Sequence, residues 1–248
     1  MSDRNTASTF AKGLSVLACF EGGRRDLTMA QIAQETGFDR ATVRRLCLTL
    51  ETSGYLVKDN RTFHLTAKVV ALAGGYLSAE QIGRAIQPVL TEFAEALNGE
   101  IAVAVRDGTR AIYIAKSSVG SARLSLGLSV GSTLPLLPTA VGRMLLAQCQ
   151  GPERDQILRE APLEAYTPST DLDRSSLMEK VHDAYQRGYA YSAEEFEQGA
   201  AGLAVPCQRI GGAETVLATT ASINHFTQPE TFDKILDTLR RAAINLRP

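Results

Sequence analysis

The chain has 248 residues, 44% hydrophobic and 21% charged, with a net charge of −1, the balance of an ordinary globular protein with room for one large domain or two modest ones. No apolar run approaches the roughly 20 residues that span a bilayer, and the opening MSDRNTASTFAKG has no signal-peptide core, so no membrane partner and a cytoplasmic location are expected. Cys19, Cys47, Cys149 and Cys207 are scattered without a CxxC pair, which argues against a zinc ribbon or a dithiol centre; no metal and no cofactor are expected.

Phe10 to Phe20 (FAKGLSVLACF) places Phe10, Leu14, Leu17 and Ala18 at helical spacing, predicting a helix with one buried face that ends at Glu21-Gly22-Gly23. Thr28 and Gln31 have the spacing of a capping box and open a helix through Thr36, with Ile32 and Ala33 inward and Gly37 closing it. Asp39 caps the next helix, from about Arg40 to Ser53. Val43, Leu46, Leu50 and Cys47 form its buried stripe, while Arg40, Thr42, Arg44, Arg45 and Thr49 fall off it. Tyr55–Lys58 and Thr62–Leu65 read as strands joined by Asp59-Asn60-Arg61. That order is a winged helix-turn-helix over residues 1–66. Residues 67–83 read as a linker helix in which Val69, Leu72 and Ala73 share a face and Gly74-Gly75 form a hinge.

From about Gly83 the pattern turns to mixed α/β. A helix runs to Asn98-Gly99, and two β-runs surround Asp107-Gly108, a hairpin signal. A third strand is expected in Arg123–Leu128, then a loop over Val130–Pro138 and a helix entered at Thr139. Helices over Pro152–Ala161 and Arg174–Arg187, strands at Tyr189–Ala193, Leu203–Gln208 and Thr215–Ile223, and a last helix Pro229–Leu246 complete the chain. The expected fold class is α/β (α+β): the winged helix, the linker helix, and over residues 84–248 a GAF-like sensor domain with an antiparallel-rich sheet.

The first part is the more basic. Residues 1–66 hold nine Lys/Arg against seven Asp/Glu, and the remainder 17 against 20. A recognition helix enters the major groove with its N-terminal residues toward base edges. Arg40, Thr42, Val43 and Arg44 lie there. Arginine can grip guanine with two hydrogen bonds, and Thr42 can touch a thymine methyl or donate to a base. Arg45 is assigned to phosphate, as are Thr28 and Gln31 at the start of the preceding helix. Lys58 and Arg61 flank the wing tip and reach backbone or minor groove. The expected partner is a double-stranded DNA operator, read as a pseudo-palindrome by a homodimer that pairs with help from the first helix and the linker.

FAKGLSVLACF, LTMAQIAQETGFDRATVRRLCLTLETSGYL, TLPLLPTAVGRMLLA, EEFEQGAAGLAVPC and ETVLATTASIN together resemble the IclR family of bacterial transcriptional regulators over nearly the whole chain. FAKGL and RRLCLTLETSGY look most like the branch that controls aromatic-acid catabolism, whose effectors are protocatechuate and 4-hydroxybenzoate. The resemblance implies dimers, often paired into tetramers, with RNA polymerase as a further partner, and a small organic acid as effector. It places the effector at Thr139, Ala140, Val141, Gly142, Glu195, Ser222 and Asn224. The chemistry agrees: exposed N–H groups and the positive dipole end at Thr139–Gly142 suit a carboxylate. Small Ala140 and Gly142 would let a ligand approach the backbone. Ser222 and Asn224 at alternate strand positions would donate inward, and Glu195 would accept from a ligand hydroxyl. Leu134, Leu136 and Leu137 make the preceding loop apolar, which suits an aromatic acid; Arg123 is a second possible partner for its carboxylate.

The competing class is an enzyme acting on a small carboxylate with an accessory winged helix. His64, His182 and His225 are poorly spaced for a catalytic base, and only His225 with Cys207 merits comparison with a dyad. No HxxxH, CxxC or phosphate loop occurs.

Overall fold

Helix caps organise the N-terminal unit. The computed structural model describes residues 6–23, 26–119 and 128–246, and these divide between Tyr76 and Leu77 into two compact units. In the first, α1 (Ser8–Ala18) precedes α2 (Met29–Thr36) and α3 (Arg40–Thr52). The Thr28 side chain accepts from the Gln31 N–H while Gln31 Oε1 accepts from the Thr28 N–H, the reciprocal bonds of a capping box. Gly37, at φ 69°, stops α2 in the left-handed region that glycine enters without strain. Asp39 accepts from the Thr42 N–H and starts α3. Strands β2 (Leu56–Asp59) and β3 (Thr62–Leu65) form an antiparallel hairpin turned at Asn60 (φ 52°), and the two-residue β1 (Leu27–Thr28) pairs with β3. Val16, Ile32, Val43, Cys47, Leu56 and Phe63 fill the core.

The first helix departs from its expected face. Its buried residue is Val16, whereas Phe10 and Leu14 are 69% and 52% exposed. The core is small and meets only the C-terminal end of α1 and the residues after it, through Val16, Leu17, Cys19 and Phe20, so of the expected face Leu17 packs inward while Phe10 and Leu14 do not. Helix α4 (Lys68–Ala79) runs unbroken through Gly74 and Gly75 and buries none of its residues fully; the division between units falls one residue after this pair.

The second unit is built on a six-stranded antiparallel sheet of order β6-β5-β4-β9-β8-β7. Its strands are β4 (Glu100–Asp107), β5 (Arg110–Ser118), β6 (Thr133–Pro135), β7 (Ala190–Ala193), β8 (Ala200–Ile210) and β9 (Ala213–Ser222). Helices α5 (Gln87–Leu97), entered through a π-type turn, and α9 (Pro229–Asn245) pack on one face. Helices α6 (Ala140–Gln148), α7 (Gly151–Glu160) and α8 (Arg174–Arg187) build the core on the other. The strand expected in Arg123–Leu128, with Gly127 and Arg123, lies outside the described residues for positions 123–127. A strand appears instead within the expected loop: β6 pairs with β5, and an edge strand tolerates Pro135 because one side needs no ladder donor.

The sheet face under α6 is made of small residues. Ala190, Ala204, Ala218 and Ala102 follow one another across four strands as direct cross-strand neighbours. Their short side chains let α6 lie close, and eight of its nine residues are buried. From the other side the Pro135–Pro138 turn presses on α6. A Cβ at Gly142 would sit 2.2 Å from Leu136 Cα and 2.2 Å from its carbonyl oxygen.

A buried ionic cluster ties α6 to its surroundings. Arg143, 2% exposed, donates from Nε to the Leu137 carbonyl at 2.8 Å and from both terminal nitrogens to Glu195 at 2.8 and 2.5 Å. Lys180 on α8 bridges Glu195 (3.3 Å) and Asp171 (2.8 Å). Burial pushes the Asp171 carboxyl up, but hydrogen bonds from Lys180 and Ser176, the Asp173 N–H and the Lys180 charge outweigh it and hold it at about 2. Glu195 is likewise raised by burial and brought below its usual value by Arg143 and Lys180.

Two expectations follow. Gly142→Ala should cost at least about 1–3 kcal/mol, because overpacking here meets backbone rather than a mobile side chain. Gly13→Ala in α1, where a Cβ meets nothing within 4 Å, should instead be neutral or gain up to about 1 kcal/mol. Paired denaturant titrations check both; equal midpoints for the two variants would refute the clash. Second, a carboxylate with a depressed folded-state pKa stabilises above its unfolded value and loses that contribution as pH falls through the folded value. The Asp171 contribution should therefore be intact above 3.8 and vanish on acidification through about 2. Asp171→Asn should be less stable than wild type at pH 7 and lose less on acidification; an identical pH slope would show that Asp171 contributes nothing.

Candidate functional site

On the first unit the exposed side of α3 is the candidate nucleic-acid interface. Arg40, Arg44 and Arg45 are exposed, while Leu46 and Cys47 are buried beneath them. Val43 is 0% exposed and belongs to the core, so its expected base contact is withdrawn: the stripe that anchors the helix cannot also face a groove. Thr42 donates its hydroxyl to Asp39 at 2.7 Å, which leaves its methyl, not its proton, for a base. Asp39 is held below the usual carboxylate range, first by the Thr42 hydroxyl and then by the Thr42 N–H. Thr28 and Gln31 are engaged with each other, since the Thr28 hydroxyl also donates to Gln31 Oε1 at 2.9 Å. The Gln31 amide N–H₂ remains for a phosphate. Lys58 and Arg61 are exposed on either side of Asn60 at the hairpin tip.

On the second unit a cleft of about 440 Å³, counting its open mouth, lies between the first turn of α6 and the sheet. Thr139, Ala140 and Val141 contribute one wall, Leu134 and Pro138 a second, Glu194–Glu197 the rim, and Tyr113, Ser192, Gly202, Ala218 and Thr220 the floor. Thr139 is the N-cap of α6. Its hydroxyl accepts from the Gly142 N–H at 3.0 Å and donates to the Pro135 carbonyl at 2.7 Å. The buried Ser192 hydroxyl donates to the Pro138 carbonyl at 2.7 Å. The proline turn is thus bonded to helix and sheet, so the wall is preformed.

Several expected contacts change role. Gly142 does not open the backbone to a ligand; its missing Cβ makes room for Leu136. Leu136 and Leu137 are buried in the core rather than at the cleft, where Leu134 alone of the three leucines appears. Glu195 borders the cleft, but both carboxylate oxygens are taken by Arg143, so it does not serve as a free acceptor for a ligand hydroxyl. Ser222 is the last residue of β9, and Asn224 lies beyond it in a short 3-10 turn, exposed. The strand ends too early for the two to alternate, and neither lines the cleft. The alternate position that does is Thr220. His225 shares that turn, and Cys207 lies on β8, where burial pushes its thiol up, against a reactive thiolate.

Tyr113, Ser192, Gly202, Thr220 and Phe196 were missed at the sequence level. The register supplies the signal: Ser192 opposes Gly202 and Gly202 opposes Thr220, one row across three strands. This row adjoins the alanine row under α6. A run of small and hydroxylated residues at alternate positions marks a face that a helix covers incompletely. Tyr113 is buried, and burial, then the Glu100 charge, push its pKa well above the usual tyrosine range. Among the described residues no group of His, Cys, Asp and Glu is arranged to hold a metal ion, and no helix is long and apolar enough to cross a membrane.

Residues 9–60 match the IclR helix-turn-helix domain, and residues 74–247 match the bacterial transcriptional regulator IclR C-terminal domain. The chain is 33% identical to the Pca regulon regulatory protein of Pseudomonas putida over 98% of this chain and 84% of that one. It is 29% identical to the p-hydroxybenzoate hydroxylase transcriptional activator of Acinetobacter baylyi, over 96% of this chain and 89% of that one. The crystal structure of an IclR homologue complexed with 4-hydroxybenzoate from Microbacterium hydrocarbonoxydans superposes with a TM-score of 0.76, at 22% identity, over 96% of this chain and 97% of that one. The matched domains together span the arginine-faced helix and the cleft, and the chain belongs to the IclR family of DNA-binding transcriptional regulators, which also sets aside the reading as an enzyme.

Proposed function

We propose that the protein binds an operator through α3 and the β2–β3 wing, and that a small aromatic carboxylic acid in the cleft against α6 controls that binding. The observation that carries the DNA half is the split of α3: Arg40, Arg44 and Arg45 exposed, Val43, Leu46 and Cys47 buried. Arg40 and Arg44 read base edges, Thr42 offers a methyl, and Arg45, Gln31, Lys58 and Arg61 hold phosphates. Thr28 acts through its N–cap, by setting the direction of α2.

The active species is a homodimer. In support, the first unit exposes Phe10 and Leu14 on α1, and Val70 and Leu72 on α4 at 65% and 63%. Phe10 and Leu14, four apart, share one face, and exposed apolar patches of this kind mark a surface that a second chain covers. A two-fold axis then sets two α3 helices against two half-sites.

The acid is held at the first turn of α6. Ala140 and Val141 line the cleft at the start of α6, where the helix dipole and free N–H groups favour a negative charge. Leu134, Phe196 and Ala218 supply apolar lining for a ring. The 4-hydroxybenzoate bound by the Microbacterium homologue and the name of the Acinetobacter relative support an aromatic acid. The domain limits of residues 1–66, 67–83 and 84–248, with Gly74-Gly75 as the point where α4 bends, remain part of this reading.

Arg44→Ala should weaken binding to the cognate operator by about 1–3 kcal/mol and relax preference at one base position. Fluorescence anisotropy on cognate and scrambled duplexes decides it. An equal loss on both would assign Arg44 to phosphate, and no loss on either would remove it from the interface.

A further inference from the structure

Gly202 is the only glycine inside a described strand. It sits in β8 between two paired neighbours, opposite Ser192 on β7 and Thr220 on β9. Glycine in such a place weakens a strand, so something must require it. Three ordinary reasons fail. Gly202 does not have the left-handed φ that favours glycine. No bulge lies there, since the one register shift of β8 comes later, between Cys207 and Ile210. Packing does not demand it either. A Cβ would meet Ala140 Cβ at 3.6 Å, the Thr219 carbonyl oxygen at 3.8 Å and Thr220 Oγ1 at 3.8 Å, all ordinary contacts. Gly142 is the contrast, because there a Cβ would strike the Leu136 backbone.

The helix above asks for no residue smaller than alanine. Along the adjoining row α6 lies on Ala190, Ala204, Ala218 and Ala102. Ala204, two residues on and therefore on the same face of β8, is 0% exposed. Gly202 keeps part of its surface open, although Ala200, Ala201, Leu203, Ala204 and Val205 around it are all buried. The opening is the cleft, which Gly202 lines together with Ala140. Where backbone, register and packing do not ask for glycine, the remaining cause is the close approach of a ligand to the strand.

We propose that Gly202 is a specificity-determining residue of the cleft. The apolar body of the bound acid lies on the β8 backbone at this position, and the absent Cβ sets the clearance between the floor and Ala140 that the ligand must fit. An added methyl occupies that clearance without disturbing the protein, so affinity falls while stability rises. This rests on the acid-binding reading above.

Urea unfolding and calorimetric titration of the full-length protein test it, with benzoate and propionate as probes, two monocarboxylates that differ in the bulk behind the carboxylate. Gly202→Ala should raise the urea midpoint, because alanine orders a strand at lower entropic cost. It should weaken benzoate at least about tenfold, the effect of one methyl group too many in an apolar pocket. Propionate, short enough to stay beside the first turn of α6, should change by less than about threefold. Gly202→Ser adds a Cβ by a second route and should show the same split between the two acids. A lower midpoint for Gly202→Ala overturns the proposal, since the fold itself would then need the glycine. Benzoate affinity unchanged in both variants, or an equal loss for both acids, overturns it while the acid-binding reading stands. Binding of neither acid to the folded wild type overturns both.

Discussion

A single arginine holds together the parts of the second unit that surround the cleft. Arg143 is buried on α6, with its guanidinium spread between the Leu137 carbonyl and both oxygens of Glu195. A buried charge of this kind is tolerable only because every face of it is matched; leaving one partner unpaired typically costs about 3–5 kcal/mol. Three chain segments converge there: the proline turn, the first half of α6 and the rim after β7. Thr170 adds a fourth, donating to the Glu195 carbonyl at 2.7 Å. The rim takes a backbone shape that needs such support, since Glu194 sits at φ 58° without being glycine.

The constraint extends to the sheet. A helix carrying a large buried cation and pressed by a proline turn has no freedom to ride up on bulky side chains. The alanine row of β4, β9, β8 and β7 and the glycine at position 142 are the same requirement on two sides of α6. Where the small row gives way to Ser192, Gly202 and Thr220, the helix is just beginning, and its first turn does not cover the floor. The cleft is therefore a consequence of where α6 starts relative to the strand register.

Legibility in the sequence follows the range of the interactions. The capping box at Thr28 and Gln31, the Asp39 and Thr139 caps, Gly37, and the hairpins at Asn60 and Gly108 are local events, each settled within four residues, and the chain states them openly. Arginines on α3 were legible because a helix sorts its faces by period. What was not legible depended on register. Ser222 and Asn224 were placed on a shared face by counting along a strand that in fact ends at Ser222. Gly142 was read as an opening for ligand because nothing local reveals that Leu136 folds back onto it. Val43 was assigned to both core and groove, and only burial resolves which. Phe10 and Leu14 read as core by spacing, yet both are exposed, because spacing alone does not distinguish an inward face from an outward one.

Control of DNA binding from the cleft requires that the ligand prefer one arrangement of the protein over another, for equal affinity shifts nothing. A tenfold difference in ligand affinity moves the balance by about 1.4 kcal/mol, and the operator then feels the same coupling in reverse. Such a difference is small beside the cost of rearranging the Arg143 cluster, so the cleft wall itself is a poor place for the two states to diverge. On the reading proposed above, the cheaper variable is α4, which has no fully buried residue and carries two adjacent glycines one residue before the division between units. Only Leu77, at its C-terminal end, packs against a core, and each glycine weakens the helix by about 1 kcal/mol against alanine. On that reading, with α4 bending at this pair, the ligand's modest free energy would act at the glycines rather than on the Arg143 cluster.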